Sequence, residues 1–245
     1  MIYFIGAGPG DPELITLKGY KALSHCPVVI TAGSLVSPDV LTHCQTDAKI
    51  YNSATMTLGE IVGVMKSADV AGSDVARLHT GEPSIYGAIL EQMLLLDEAG
   101  ISYEVIPGVT SLFAAAAALK CELTLPDISQ TVIITRYAGR TAVPENFENI
   151  VKAGGTLCLY LSMSMLKELT ARIISCGRAT DTPAAVVYRA SWADEKVVRG
   201  TLSNISELAT GITEHAILIV GEVVAKRLAT PSRLYAQDFS HKFRK

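Results

Sequence analysis

Ile5-Gly6-Ala7-Gly8-Pro9-Gly10-Asp11-Pro12-Glu13-Leu14 follows directly on an apolar run that starts at Ile2, and three glycines then lead into a helix-like pattern. Strand, tight turn and helix start are therefore read from one stretch. Glycine lets a backbone turn sharply and approach a ligand closely, and Pro12 suits the first turn of the helix that follows. α/β proteins build ligand sites in this way.

A dinucleotide fingerprint, G-x-G-x-x-G, needs glycine where this chain has Asp11, because helix and strand must pack closely there. Pro9 removes an amide hydrogen from the turn. Asp11 and Glu13 put negative charge where a pyrophosphate would seek amides and the positive helix end. The acidic residue expected about twenty positions on for a ribose is also missing, since the second apolar run, Pro27 to Ser34, ends without one. A nucleotide-dependent oxidoreductase thus stands only as a weak alternative.

The 245 residues are 49% hydrophobic with mean hydropathy +0.32, enough for a large core in one big domain or two ordinary ones. A net charge of -3 and the lack of any dense Lys/Arg run argue against nucleic acid as partner. No apolar run is long enough to span a bilayer, and Met1 leads straight into a strand, so no membrane and no leader are expected. Cys26, Cys44, Cys121, Cys158 and Cys176 are odd in number and far apart. That spacing suits a reducing cytoplasm and suggests neither disulfides nor a zinc pattern. His25-Cys26 and His43-Cys44 are adjacent pairs whose side chains diverge, so no metal is expected.

Along the chain, a helix is predicted over Leu14–Leu23, strands at Pro27–Thr31 and near Lys49–Tyr51, and a helix over 57–68. The strand Asp74–His79 runs into Thr80-Gly81-Glu82-Pro83-Ser84-Ile85-Tyr86-Gly87, which repeats the loop-to-helix grammar with hydroxyls and a carboxylate. Tyr103–Ile106 ends in Pro107-Gly108-Val109-Thr110-Ser111 and an alanine-rich helix to Leu119. Proline and acidic residues from Lys120 to Asp127 break the pattern, which places a domain junction there, with domains at 1–119 and 120–245. Strands are predicted in the second half at 131–135, 156–161, 184–188, 196–201 and 216–220, with helices at 144–152, 164–175 and 203–209. The strands flanking Asp194-Glu195 read as a hairpin, so this sheet is expected to be mixed. The fold class is α/β, as two α/β domains with a cofactor cleft expected between them.

These residues resemble the tetrapyrrole methylase family, S-adenosylmethionine-dependent enzymes that methylate ring carbons on the way to cobalamin and siroheme. The resemblance spans nearly the whole chain. It rests on Gly6–Pro12, Thr80–Tyr86, Pro107–Ser111 and Tyr160-Leu161-Ser162-Met163. Ala32–Val36, Glu122–Ile133 and Thr135-Arg136 point to the branch acting on corrin-ring precursors. Gly33 and Ala88 stand where the uroporphyrinogen-III branch usually carries aspartate and arginine.

The resemblance implies that S-adenosylmethionine, leaving as S-adenosylhomocysteine, touches Pro9, Thr80, Gly81, Glu82, Ile85, Thr110, Ser111, Met163 and Ala190. Glu82 stands where aspartate is more usual. The donor is already activated, so the protein's work is alignment and charge stabilisation, and no catalytic acid or base is assigned. For the acidic tetrapyrrole substrate, Arg136 and Arg189 are candidate carboxylate clamps, since a guanidinium engages a carboxylate through two parallel bonds. Ser34 and Tyr86 are candidates for lining the substrate's seat. A homodimer is the family expectation.

Overall fold

The structure, a computed structural model, describes residues 1–139, 141–225, 232, 236, 239, 240 and 242–244. The chain divides into two compact units, Met1–Ala114 with Arg189–Glu195, and Ala115–Tyr188 with Lys196–Lys245.

In the first unit, β1 (Ile2–Gly6) leads through a capped turn to α1 (Leu17–Leu23), then β2 (Val28–Thr31), β3 (Lys49–Asn52), α2 (Leu58–Val70), β4 (Val75–His79), α3 (Leu90–Glu98) and β5 (Tyr103–Ile106). The helix α4 (Ser111–Leu119) carries the chain into the second unit. The five strands are all parallel in the order β3-β2-β4-β1-β5. Such a sheet needs cover on both faces, which is why its strands read as continuous apolar runs. One face buries Ile2, Phe4, Ile30 and Val75 against Ile61, Met65 and Leu96, while the other buries Ile5, Val29, Ala76 and Leu78 with Leu23 and Val40.

The predicted helix at Leu14–Leu23 is split in two. Asp11 accepts from the Glu13 N–H at 2.9 Å and caps a short 3-10 turn over Pro12–Leu14, and Thr16 then caps α1 by accepting from the Gly19 N–H at 3.1 Å. Two caps five residues apart leave no room for one continuous helix. Thr57 and Glu60 form a reciprocal capping box that starts α2.

The second unit holds β6 (Val132–Arg136), α5 (Phe147–Lys152), β7 (Thr156–Tyr160), α6 (Leu166–Ser175), β8 (Pro183–Tyr188), β9 (Lys196–Thr201), α7 (Ile205–Leu208) and β10 (Ala216–Val220). Its sheet runs β6-β7-β10-β8-β9, parallel only between β6 and β7. The sheet is mixed as expected, and β8 and β9 are the antiparallel pair flanking the Asp194 turn. Leu157, Leu159, Val186 and Leu218 pack with Leu166, Leu169, Ile173 and Ile205. α6 starts at Leu166 rather than at Ser164 because Met163–Met165 form a 3-10 turn ahead of it. Among the described residues no helix is long and apolar enough to cross a membrane.

Candidate functional site

Three neighbouring strands, β4, β1 and β5, each end in a glycine loop, and the loops meet backbone to backbone. A Cβ on Gly108 would lie 2.1 Å from the Gly81 carbonyl oxygen and 2.6 Å from the Gly6 Cα. Gly81 is left-handed at φ 63° and exchanges hydrogen bonds with Gly8, donating at 2.8 Å and accepting at 3.3 Å. No side chain fits among these contacts.

Glu82 fastens two of the loops. One carboxylate oxygen accepts from the Ser84 N–H at 2.9 Å and the other from the Gly108 N–H at 2.8 Å. Burial pushes this carboxyl up, but the Gly108 and Ser84 backbone donors, together with the Ser84 hydroxyl, outweigh it and hold Glu82 below the usual carboxylate range. Thr80 donates its hydroxyl to the Leu35 carbonyl at 2.9 Å. That bond brings the 33–35 turn at the end of β2, with exposed Ser34, beside the same loop. Ile85 is half-buried and donates its N–H to the Glu82 carbonyl at 3.2 Å. Tyr86 is 45% exposed. Tyr86 and Ala88 are both left-handed, at φ 57° and 50°, a conformation that costs about 1–3 kcal/mol per non-glycine residue. Buried Thr110 and half-buried Ser111 lead into α4.

Beneath the loop lie two buried basic side chains, Arg77 and His79. Arg77 is 5% exposed on β4, and burial lowers it to about 10, so it stays charged at neutral pH. Burial, with the Arg77 charge second, lowers His79 to about 3, so its imidazole is neutral.

The turn Arg189–Glu195 closes over the first glycine loop. Ser191 accepts from the Asp11 N–H at 3.0 Å, and the Trp192 indole donates to the Pro9 carbonyl at 2.8 Å. A Cβ on Gly10 would fall 2.0 Å from Trp192 Cδ1, so the indole occupies that space. Ala190 is buried beside them in the chain. Arg189 is ion-paired with Asp194 at 2.9 Å and stacks on Trp192 at 4.8 Å. It stands bound within its own turn rather than as a free clamp. Trp192, Ser191, Arg77 and Gln92 escaped sequence reasoning. Glycine at position 10 is the one sequence feature that leaves the room Trp192 fills.

In the second unit, Arg136 and Tyr160 are register partners at the carboxyl ends of β6 and β7. The Arg136 guanidinium donates to the Thr141 and Ala142 carbonyls at 3.1 and 2.5 Å. Leu161 is left-handed at φ 52°. Ser162 then accepts from the Tyr137 N–H at 2.8 Å. Met163 is 5% exposed and packs into the core of this unit.

In the first unit, then, Pro9, Ser34, Thr80, Gly81, Glu82, Ile85, Tyr86, Thr110 and Ser111 gather at the carboxyl edge of the parallel sheet, with Arg189 and Ala190 on the turn that covers Pro9. Asp11 already caps the first turn with its own carboxylate, so a phosphate there would meet like charge. Backbone donors, carbonyls, hydroxyls and one carboxylate suit a polar ligand without phosphates.

The family model of Tetrapyrrole (Corrin/Porphyrin) Methylases matches residues 1–206. The chain belongs to this family. As a tetrapyrrole methylase it is 51% identical, over 248 residues covering 100% of the chain and 96% of the relative, to a cobalt-precorrin-4 C(11)-methyltransferase of Methanocaldococcus jannaschii. Among solved structures, the cobalamin biosynthetic enzyme cobalt precorrin-4 methyltransferase, CbiF, aligns with TM-score 0.88 and 46% identity, over 91% of this chain and 95% of that one. Uroporphyrin-III C-methyl transferase from Thermus thermophilus, complexed with S-adenosyl homocysteine, aligns with TM-score 0.78 and 30% identity, over 91% and 92%. The oxidoreductase alternative finds support in neither the family nor the loop geometry.

Proposed function

We propose that this methylase transfers a methyl group from S-adenosylmethionine to C11 of a precorrin-4 macrocycle, cobalt-bound or metal-free, giving a precorrin-5 ring and S-adenosylhomocysteine. The observation that carries the reading is the meeting of the Gly6, Gly81 and Gly108 loops under the Glu82 carboxylate. It builds a rigid, phosphate-averse cradle in a chain similar throughout to enzymes of that name.

Pro9, Thr80, Gly81, Glu82, Ile85, Thr110, Ser111, Met163 and Ala190 are the proposed cofactor contacts. When bound, the cofactor would supply an activated sulfonium methyl for the enamine-like carbon of the macrocycle. The residues of the chain align the two carbons and exclude water. Glu82 has both oxygens engaged but keeps lone pairs to accept a further hydrogen bond. Ser34 and Tyr86 are proposed to line the macrocycle's seat, and Arg136 and Arg189 to meet its carboxylates. Arg189 would do so by exchanging Asp194 for the substrate. A homodimer working in the cytoplasm completes the proposal, and light scattering tests the first part of it.

Calorimetric titration with S-adenosylhomocysteine, followed by a methyl-transfer assay on precorrin-4 with and without cobalt, tests the reading. Micromolar binding and a product heavier by one methyl are expected. A folded protein that binds no S-adenosylhomocysteine overturns it.

A further inference from the structure

The loop from Thr80 to Ile89 carries four of the proposed cofactor contacts, yet Tyr86 and Ala88 sit in a backbone conformation that side chains disfavour. Something must hold it there. The Ala88 carbonyl accepts from Gln92 Nε2 at 2.8 Å, and Gln92 Oε1 in turn accepts from Arg77 Nε at 3.2 Å. Arg77 is anchored from behind, donating through Nη1 to the Ile30 and Leu78 carbonyls at 3.4 and 3.3 Å. Gln92 is 3% exposed and Arg77 5%, and among the described residues no carboxylate pairs with Arg77. The imidazole of His79 is hydrogen-bonded to the Gly87 backbone on the same side of the sheet.

A buried cation without a counter-charge is costly. An apolar side chain would serve the core better, as Phe4, its register partner on β1, does on the same face. What Arg77 supplies instead is direction. An amide can rotate so that either end faces a neighbour, but a guanidinium only donates, so Gln92 must present its oxygen to Arg77 and its nitrogen to Ala88. We infer that Arg77 acts through Gln92 as a positioning pair that fixes the 80–89 loop in its binding shape. The effect on cofactor binding rests on the function proposed above, whereas the effect on loop shape does not.

Three variants separate this role from general stability. Gln92→Glu keeps an acceptor for Arg77, and pairs it with a charge, but deletes the donor to Ala88. Arg77→Met and Gln92→Leu each remove the relay with apolar replacements. The readout independent of ligand is the rate at which chymotrypsin nicks the native protein after Tyr86, identified by fragment mass. About tenfold faster nicking is expected in Gln92→Glu, with a melting temperature no lower than the parent's. Arg77→Met and Gln92→Leu should nick at a similar rate, and the double variant no faster than either. S-adenosylhomocysteine binding should weaken by about tenfold in each. A folded Gln92→Glu protein that nicks at the parental rate overturns the inference, even if Arg77→Met does not fold. A parent that binds no S-adenosylhomocysteine overturns the proposed function and leaves the nicking result to judge Arg77 and Gln92.

Discussion

Trp192 donates its indole N–H to the Pro9 carbonyl across 2.8 Å while its ring fills the space in which any side chain at position 10 would stand. The two residues lie 183 positions apart in sequence, so a turn made late in the chain sets the shape of the first loop.

Trp192→Phe keeps a ring over Gly10 and deletes that hydrogen bond. A neutral bond of this kind contributes about 1 kcal/mol net. If the loop's shape is coupled to binding, S-adenosylhomocysteine affinity falls about fivefold, measured by calorimetry. Trp192 is the chain's single tryptophan, so in the parent protein its emission should change on titration with the same ligand. Emission that stays constant at saturating ligand would place the binding site away from this loop.

Alanine in place of Gly108 would set a Cβ 2.1 Å from a backbone oxygen that cannot swing aside. The expected loss is about 3 kcal/mol, or roughly 6–12 °C in melting temperature for a chain of this size. The same substitution at Gly63, exposed on α2 with nothing within 4 Å, should stabilise by about 0.5–1 kcal/mol through helix propensity. Thermal unfolding of the two variants side by side checks the contrast.

Glu82→Gln leaves one oxygen for two backbone donors, and at neutral pH a bond to a charged group worth about 1.5–3 kcal/mol is lost or weakened. The folded carboxyl titrates below its ordinary value. Its stabilisation is therefore complete above the ordinary glutamate range, about 4.3, and drains away as pH falls through the lower folded value. Denaturant unfolding at pH 7 and pH 3 should find the gap between parent and variant smaller at the second than at the first.

His79 works on a different pH window. Its folded value of about 3 lies far below the unfolded value of about 6.5, so below pH 6.5 the unfolded chain binds a proton that the folded chain refuses. Stability falls with acidification from about 6.5 down to about 3, and at pH 5.5 the loss is about 1.4 kcal/mol. His79→Leu should lack this part of the decline when unfolding is compared at pH 7.5 and 5.5.

The strands were legible where apolar runs are bounded by turn residues: Tyr103–Ile106, Lys196–Thr201 and Ala216–Val220 stand in the structure as read. The hairpin around Asp194 was legible because its strands are too close in sequence for a crossover helix. The split of the first helix was missed, since Asp11 and Thr16 each cap a turn and periodicity alone does not say which cap governs. The glycine loops announced themselves, because only glycine tolerates such approaches. What the side chains do there was hidden. Arg77 reads as one polar break in a strand, with no local sign that it is buried. Arg189 reads as a cationic clamp, and the sequence does not show the ion pair it makes with Asp194. Trp192 and Pro9 are 183 positions apart, so no local pattern announces their contact.

The return of residues 189–195 to the first unit has a consequence for the order of events on the ribosome. Asp11 and Ser191 are 180 positions apart, and at about 5–20 residues per second synthesis needs roughly ten to forty seconds to pass from one to the other. Once synthesis has passed Ile106 every strand of the parallel sheet has been made, but the Gly-rich loop still lacks its indole cover. A chaperone or a protease meeting the growing chain would find this glycine edge open, and the last step of maturing it is the delivery of one late turn to the earliest loop.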